Sequence, residues 1–256
     1  MSAPAPAAAA RPEPLRECLV LWALAIAGIA LGKWVLDPLI GVHLAGLPLL
    51  DGLFHPKTLA AVLFLYLPVT AMKRRDEYPE DYGLTFGDRR SWLGWFALFA
   101  LVTLPLYALG YAAFVEVLPH LPARLAALLA PYGAAARFAW RWPAKFPLKV
   151  LDQLLVVALP EELFYRGYLQ QRLKLRFGPG VPVAGIRAGR AFLLTQLLFA
   201  LGHLVEPYPW RLAVFFPALL FGWLREKTRS LPAGILYHAS CNLAVMVLEA
   251  CFFGTL

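Results

Sequence analysis

The residues able to do chemistry fall in three places of a chain otherwise dominated by apolar side chains. Glu161-Glu162-x-x-x-Arg166 puts two adjacent carboxylates and an arginine inside the apolar run 158–168, His203 closes the run Phe199-Ala-Leu-Gly-His203, and His238-x-x-x-Asn242 follows near the end of the sequence. An ionisable group in a membrane-compatible span costs about 2.5–3.5 kcal/mol on insertion scales, so each needs a reason. On a helix Glu162 and Arg166 share a face, and an ion pair between them makes both charges tolerable. Glu161 is rotated about 100° from Glu162 and has no partner built into that helix, which leaves it free to take a proton from water. His238 and Asn242, also four apart, present two hydrogen-bond donors on one face. Together the three places supply a base, a second proton-handling group and donors for a developing negative charge, the parts needed to hydrolyse an amide. Singly, each also fits a quieter role: a buried ion network for Glu161, Glu162 and Arg166, an interfacial or backbone-bonded His203, and helix–helix hydrogen bonding for Asn242.

Other hydrolytic chemistries find less support. The serines are Ser2, Ser91, Ser230 and Ser240, none of them in Gly-x-Ser-x-Gly, and Ser240 faces away from His238. The aspartates Asp37, Asp51, Asp76, Asp81, Asp88 and Asp152 fall in loops or near span ends, so no intramembrane aspartate dyad is evident. Cys241 is three residues from His238 and shares its face, which makes a thiol nucleophile the serious rival, although a buried thiol without a nearby cation is more often inert packing. Cys18, Cys241 and Cys251 all lie in apolar stretches, and their odd number gives no disulfide framework. No His-Glu-x-x-His occurs, yet Glu161, His203 and His238 could converge on Zn²⁺ as two histidines and a carboxylate. No other cofactor is expected.

These residues must be positioned by membrane helices. Of the 256 residues 60% are hydrophobic and 16% charged, and the mean hydropathy is +0.62, values that exclude an ordinary soluble enzyme. Apolar segments long enough or nearly long enough to span recur at 18–36, 57–72, 92–118, 148–170, 190–204, 210–224 and 231–254. The stretch 121–145 mixes Ala and Leu with Arg124, Arg137, Trp140, Arg141, Trp142 and Lys145, as an interfacial helix or a short eighth span would. The expected fold is an all-α polytopic bundle of seven or eight spans enclosing a polar catalytic cavity, one integral domain in three parts: a disordered Ala/Pro-rich tail over 1–14, membrane helices and an interfacial segment over 15–147, and the catalytic core over 148–256.

The net charge of +8 is read as basic loops facing an anionic leaflet rather than as nucleic-acid binding. Placing the clusters Lys73–Arg75 with Arg89 and Arg90, Arg172–Arg190 and Arg225–Arg229 inside puts the N-terminus in the cytoplasm and leaves 37–56, which has no Lys or Arg, outside. The cost is that the basic stretch 124–145 also lies outside. Arg11 and Arg16 ahead of an apolar run outline a signal peptide, but in a chain apolar to its end an uncleaved first span is expected. The Ala-, Leu-, Arg- and Pro-rich, Lys-poor composition points to a bacterial cell membrane.

The ordered set Glu161-Glu162-x-x-x-Arg166, Phe199-x-x-x-His203 and His238-x-x-x-Asn242 resembles the three motifs of the CAAX protease and bacteriocin-processing (CPBP, or Abi) family of intramembrane proteases, which includes the type II CAAX prenyl endopeptidases. The resemblance covers roughly 148–256. It implies a helical bundle around a water-filled cavity, with Glu161 as general base, His203 as its partner on the water, Glu162, Arg166 and Phe199 supporting the site, and His238 with Asn242 as the oxyanion hole. The family is often labelled metalloprotease, while the mechanism usually favoured for it is metal-independent and glutamate-based. The implied substrate is a membrane-anchored protein or peptide carrying a lipidated or transmembrane C-terminal tail, cleaved near that end. The myxosortase branch, thought to cleave C-terminal sorting tails, is within the same resemblance, and no motif separates it from the rest. The alternatives carried beside this reading are a transporter relaying protons through the same carboxylates and a non-catalytic scaffold or self-immunity protein.

Overall fold

The structure is a computed structural model that describes residues 13–39, 55–129 and 137–254. It is mostly helical. The first helix, α1 (Pro14–Leu31), begins where the Glu13 carboxylate accepts from the Arg16 amide and Pro14 fills the first turn, and it runs on through a π-helical segment, Gly32–Leu36. Then follow α2 (Pro56–Lys73), α3 (Arg89–Val117) with Asp88 as its cap, and the short α4 (Ala123–Leu128).

Residues 146–177 form one helical rod in which α- and π-turns alternate. It comprises α5 (Phe146–Asp152), a π segment Gln153–Ala158, α6 (Leu159–Glu162), a second π segment Leu163–Leu169, and α7 (Gln170–Phe177). The Leu159 amide donates five residues back to the Leu154 carbonyl, and the Gln170 amide does the same to Tyr165. The wider turn comes immediately before Pro160, which has no N–H to donate and whose ring would press on the preceding turn of a regular helix.

After a β1 (Val181–Val183) and β2 (Ile186–Ala188) hairpin, with Val181 opposite Ala188, the chain enters α8 (Arg190–Gly202). Two 3₁₀ turns, His203–Val205 and Pro209–Val214, lead to α9 (Phe215–Thr228), and α10 (Pro232–Phe253) ends at Gly254 in the left-handed region.

Among the described residues three helices are long and apolar enough to cross a bilayer: Pro14–Leu39, Arg89–His120 and Pro232–Phe253. All seven segments expected to span are largely helical, but the part of 190–224 between α8 and α9 is taken up by 3₁₀ turns, so Arg190–Val205 is apolar yet shorter. Among the described residues of the basic and aromatic stretch only the six-residue α4 is regular, and 137–143 has no regular structure. The tail over 1–14, apart from Glu13 and Pro14, and most of the loop 37–56 lie outside the described residues. Leu101, Leu106 and Leu109 on α3 are 76%, 62% and 69% exposed. A row of bare leucines of this kind is a lipid-facing surface, since acyl chains solvate it as well as protein would.

The rod is the centre of the molecule, with every residue from Glu162 to Gln170 buried. Phe64 of α2 packs on Phe164 at 4.9 Å between ring centres, Tyr165 meets Phe199 of α8 at 5.1 Å, and the Trp22 indole of α1 donates to the Leu198 carbonyl at 3.0 Å. Glu17 of α1 binds Arg75, Arg172 and the Tyr168 hydroxyl, fastening α1 and the 74–88 loop to α7. In that loop burial pushes the Tyr82 hydroxyl up to about 12, reinforced by its bond to Glu77. Burial would raise Glu77, but the Tyr82 hydroxyl and the Arg75 guanidinium hold its carboxyl below the ordinary range.

Candidate active site

The rod carries Glu161 and Glu162 on α6 and Arg166 in the π segment that follows. Glu162 is fully buried; its Oε1 accepts from Arg166 Nη1 at 2.8 Å and from His238 Nδ1 at 3.0 Å. Arg166 is also buried and is neutralised on every side: Nε and Nη2 donate to Gln196 Oε1 at 3.2 and 2.9 Å, and the guanidinium carbon lies 4.2 Å from the centre of the Phe199 ring and 5.1 Å from that of Phe221. A buried charge pair is tolerable only when its remaining donors and acceptors are met, and here the amide and the two ring faces meet most of them. The polar line continues through Gln196 to Gln170, whose amide donates to Glu226 at 2.6 Å.

Glu161 has a different environment on the same helical turn. Its side chain is 17% exposed, and its Oε2 is buried without a hydrogen-bond partner, standing 3.8 Å from His238 Nε2. That gap is too long for a direct hydrogen bond and is one that a water bound to both groups would close. Glu162 Oε2 is likewise buried without a partner, but its Oε1 is bound twice, so the fixed carboxylate is Glu162 and the available one Glu161.

Both histidines have one nitrogen committed. His203 Nδ1 lies 2.8 Å from the Phe199 carbonyl, which can only accept, so Nδ1 carries the proton and the neutral ring presents a bare Nε2. His238 Nδ1 points at the Glu162 carboxylate for the same reason, and its ring stacks on Phe221 at 4.5 Å with planes 16° apart. Its Nε2 thus accepts while the ring is neutral and donates only once the ring is protonated. Phe199 lies against the rings of His203 (4.6 Å) and His238 (5.8 Å) and so joins the two histidine positions.

The structure thus gathers Glu161, Glu162, Arg166, Phe199, His203 and His238 around one point. Asn242 lies one turn further along α10, where its amide donates to Gln153 Oε1 at 2.9 Å and ties α10 to the first π segment. Ser240 donates to the Leu236 carbonyl, and Cys241 packs against the core beside Tyr237. Gln153, Gln196, Phe221 and Gly234 were not singled out by sequence reasoning. The two glutamines carried a legible signal, an amide inside an apolar run; Phe221 and Gly234 carried none. A Cβ on Gly234 would stand 3.1 Å from Glu162 Oε2. Gly234→Ala is therefore expected to push Glu162 off His238 and lower hydrolysis by about tenfold, with much less effect on the melting temperature; equal activity in a turnover assay would show that the contact is slack.

Among the described residues no group of three or more His, Cys, Asp or Glu side chains is placed to hold a metal ion, so Glu161, His203 and His238 do not form a ligand cage in this arrangement. Two surface clefts, one around Lys57, Lys145 and Asp152 and one around Lys174 and Arg225, include none of the site residues.

The family model described as type II CAAX prenyl endopeptidase Rce1-like matches residues 143–244, which hold all three constellations. No curated protein and no solved structure matches the chain.

Proposed function

We propose, from the match of residues 143–244 to the family model described as type II CAAX prenyl endopeptidase Rce1-like, that this chain is an integral membrane protein of that protease family, an intramembrane endopeptidase hydrolysing a peptide bond near the C-terminus of a membrane-associated substrate. The observation that carries the reading is the division of labour between two adjacent carboxylates: each keeps a buried, unpartnered Oε2, but Glu162 Oε1 is held by Arg166 and His238, while Glu161 stands 3.8 Å from the other imidazole nitrogen of His238.

In the proposed reaction Glu161 takes a proton from a water that the bare Nε2 of His203 also orients, and the water oxygen attacks the scissile carbonyl. The new tetrahedral oxyanion is met by His238, whose Nε2 donates in the protonated ring held by Glu162, and by Asn242 once its amide turns from Gln153. Glu161 then returns its proton to the leaving amine. Arg166, Gln196 and Phe199 touch no reacting atom and act as positioning residues for Glu162, His203 and His238. The surround is apolar, so each of these charges acts at full strength.

We place all seven apolar segments in the bilayer as one bundle, with residues 148–256 as its catalytic core, the N-terminus in the cytoplasm and the host membrane a bacterial cell membrane, as the basic clusters and composition support. The substrate is a membrane-anchored protein whose C-terminal tail, lipidated or transmembrane, is removed. The test compares membrane proteins of cells carrying wild type with those carrying a Glu161 variant: C-terminal peptides that vanish only in wild type are expected. The wild-type enzyme is expected to keep its activity after dialysis against a strong chelator; loss restored by added Zn²⁺ would transfer the water-activating role to a metal.

A further inference from the structure

At the end of the bundle away from Asn242, a cleft of about 820 Å³ opens between α7, the β1–β2 hairpin and the end of α9. Its walls carry the cations Lys174, Arg187, Arg225, Lys227 and Arg229 against two carboxylates, Asp81 and Glu226. Glu226 is already taken by Lys174 and by the Gln170 amide, and Asp81 accepts from the Tyr78 amide at 2.8 Å. Among the described residues none of Arg187, Arg225, Lys227 and Arg229 has a carboxylate partner.

Three of these cations are instead propped by backbone carbonyls, which orient them without neutralising them. Arg187 donates to Gly180 at 2.7 Å, Arg225 to Tyr82 at 3.1 Å and Lys227 to Gly185 at 3.5 Å. Arg225 Nε is buried with no partner at all. Its guanidinium rests on Gly83, where φ is +92° and an added Cβ would stand 2.8 Å from the guanidinium carbon, so the backbone has been left bare to seat it. An unpaired, buried guanidinium N–H beside several unneutralised cations is a strong demand for an anion.

The surroundings set the depth of the cleft. Lys227 lies over the Trp95 and Trp223 rings at 5.1 and 5.9 Å, and Trp95 opens the span Arg89–His120; tryptophans collect at the headgroup level of a bilayer. Val181 and Val183 on the hairpin beside it are 63% and 52% exposed, an apolar edge suited to acyl chains.

We propose that this cleft binds the phosphate headgroup of an anionic phospholipid, with Arg225, Lys227 and Arg229 as its principal ligands. The proposal is tested by native mass spectrometry of the full chain in neutral detergent, with phosphatidylglycerol or phosphatidylcholine of the same acyl chains added. Wild type is expected to retain phosphatidylglycerol at a concentration about tenfold below that needed for phosphatidylcholine. Arg225→Gln, and independently the double variant Lys227→Gln/Arg229→Gln, lose that preference while remaining monodisperse; the second, on more accessible residues, decides the matter if the first does not fold. Arg89→Gln/Arg90→Gln removes the same charge outside the cleft from two exposed arginines and keeps the preference. Equal loss in this control would show a diffuse surface attraction and overturn the site. Displacement of either lipid by inorganic phosphate, with no preference between the two lipids, would overturn the lipid assignment in favour of a soluble phosphate.

Discussion

Glu161→Gln is expected to lower the rate of hydrolysis of a membrane-anchored peptide by about 10²–10⁴-fold, the span that a general base contributes, while the protein inserts and melts like wild type. The second half of that expectation comes from the contacts. Glu161 Oε2 has no hydrogen-bond partner in the folded protein, so an amide in its place orphans nothing. The neighbouring change, Glu162→Gln, has the opposite profile: it removes the counter-charge of a buried arginine and the acceptor for His238 Nδ1. Two isosteric changes one residue apart should thus separate cleanly, one silencing the reaction in a stable protein and the other loosening the protein itself. A turnover assay beside a thermal melt in detergent reads both. Wild-type turnover in Glu161→Gln would remove this residue from the chemistry, and an undisturbed melt in Glu162→Gln would remove its neighbour from the framework.

Arg166→Ala is expected to destabilise the fold by about 3–5 kcal/mol, the usual consequence of leaving one partner of a buried pair uncompensated. Glu162 is fully buried, and Arg166 also satisfies Gln196 and packs between the Phe199 and Phe221 rings. The double variant Glu162→Leu/Arg166→Met is expected to recover much of that stability, because it removes both charges and keeps the volume. It should not recover activity, since His238 loses the carboxylate that accepts from its Nδ1 and fixes the ring's orientation. Unfolding titrations give the stability cycle and a peptide-cleavage assay the activity. If Arg166→Ala unfolds at the wild-type denaturant concentration, the pair is not a structural element, and if the double variant cleaves, the positioning role of Glu162 is wrong.

The Glu162–Arg166 pair was legible because it needs only local geometry: four residues along one helix bring the groups to 2.8 Å, even where a π segment widens the turn. His203 at the end of an apolar run and the His238/Asn242 spacing were legible for the same local reason. The partner of His238 was not. Glu162 lies 76 positions away, and only the packing of α10 on the rod decides that this carboxylate, rather than Glu161, takes Nδ1. Gln153 is a similar case, since its amide became visible as a clamp on Asn242 only across 89 positions. The apolar runs gave the helices but not all their lengths. Hydropathy does not register the 3₁₀ turns at His203–Val205 and Pro209–Val214, which shorten α8 and α9.

What the sequence by itself determined is the medium and the reagents: an apolar chain, and an ordered set of carboxylates, histidines and amides that such a medium admits only for a reason. What the tertiary structure decided is their assignment. Spacing cannot tell two adjacent glutamates apart, whereas packing gives Glu162 an arginine and a histidine through one oxygen and brings Glu161 only to 3.8 Å from an imidazole nitrogen. A carboxylate's chemistry depends on what stands within about 4 Å of it, and for Glu161 that neighbour, His238, comes from a helix far along the chain.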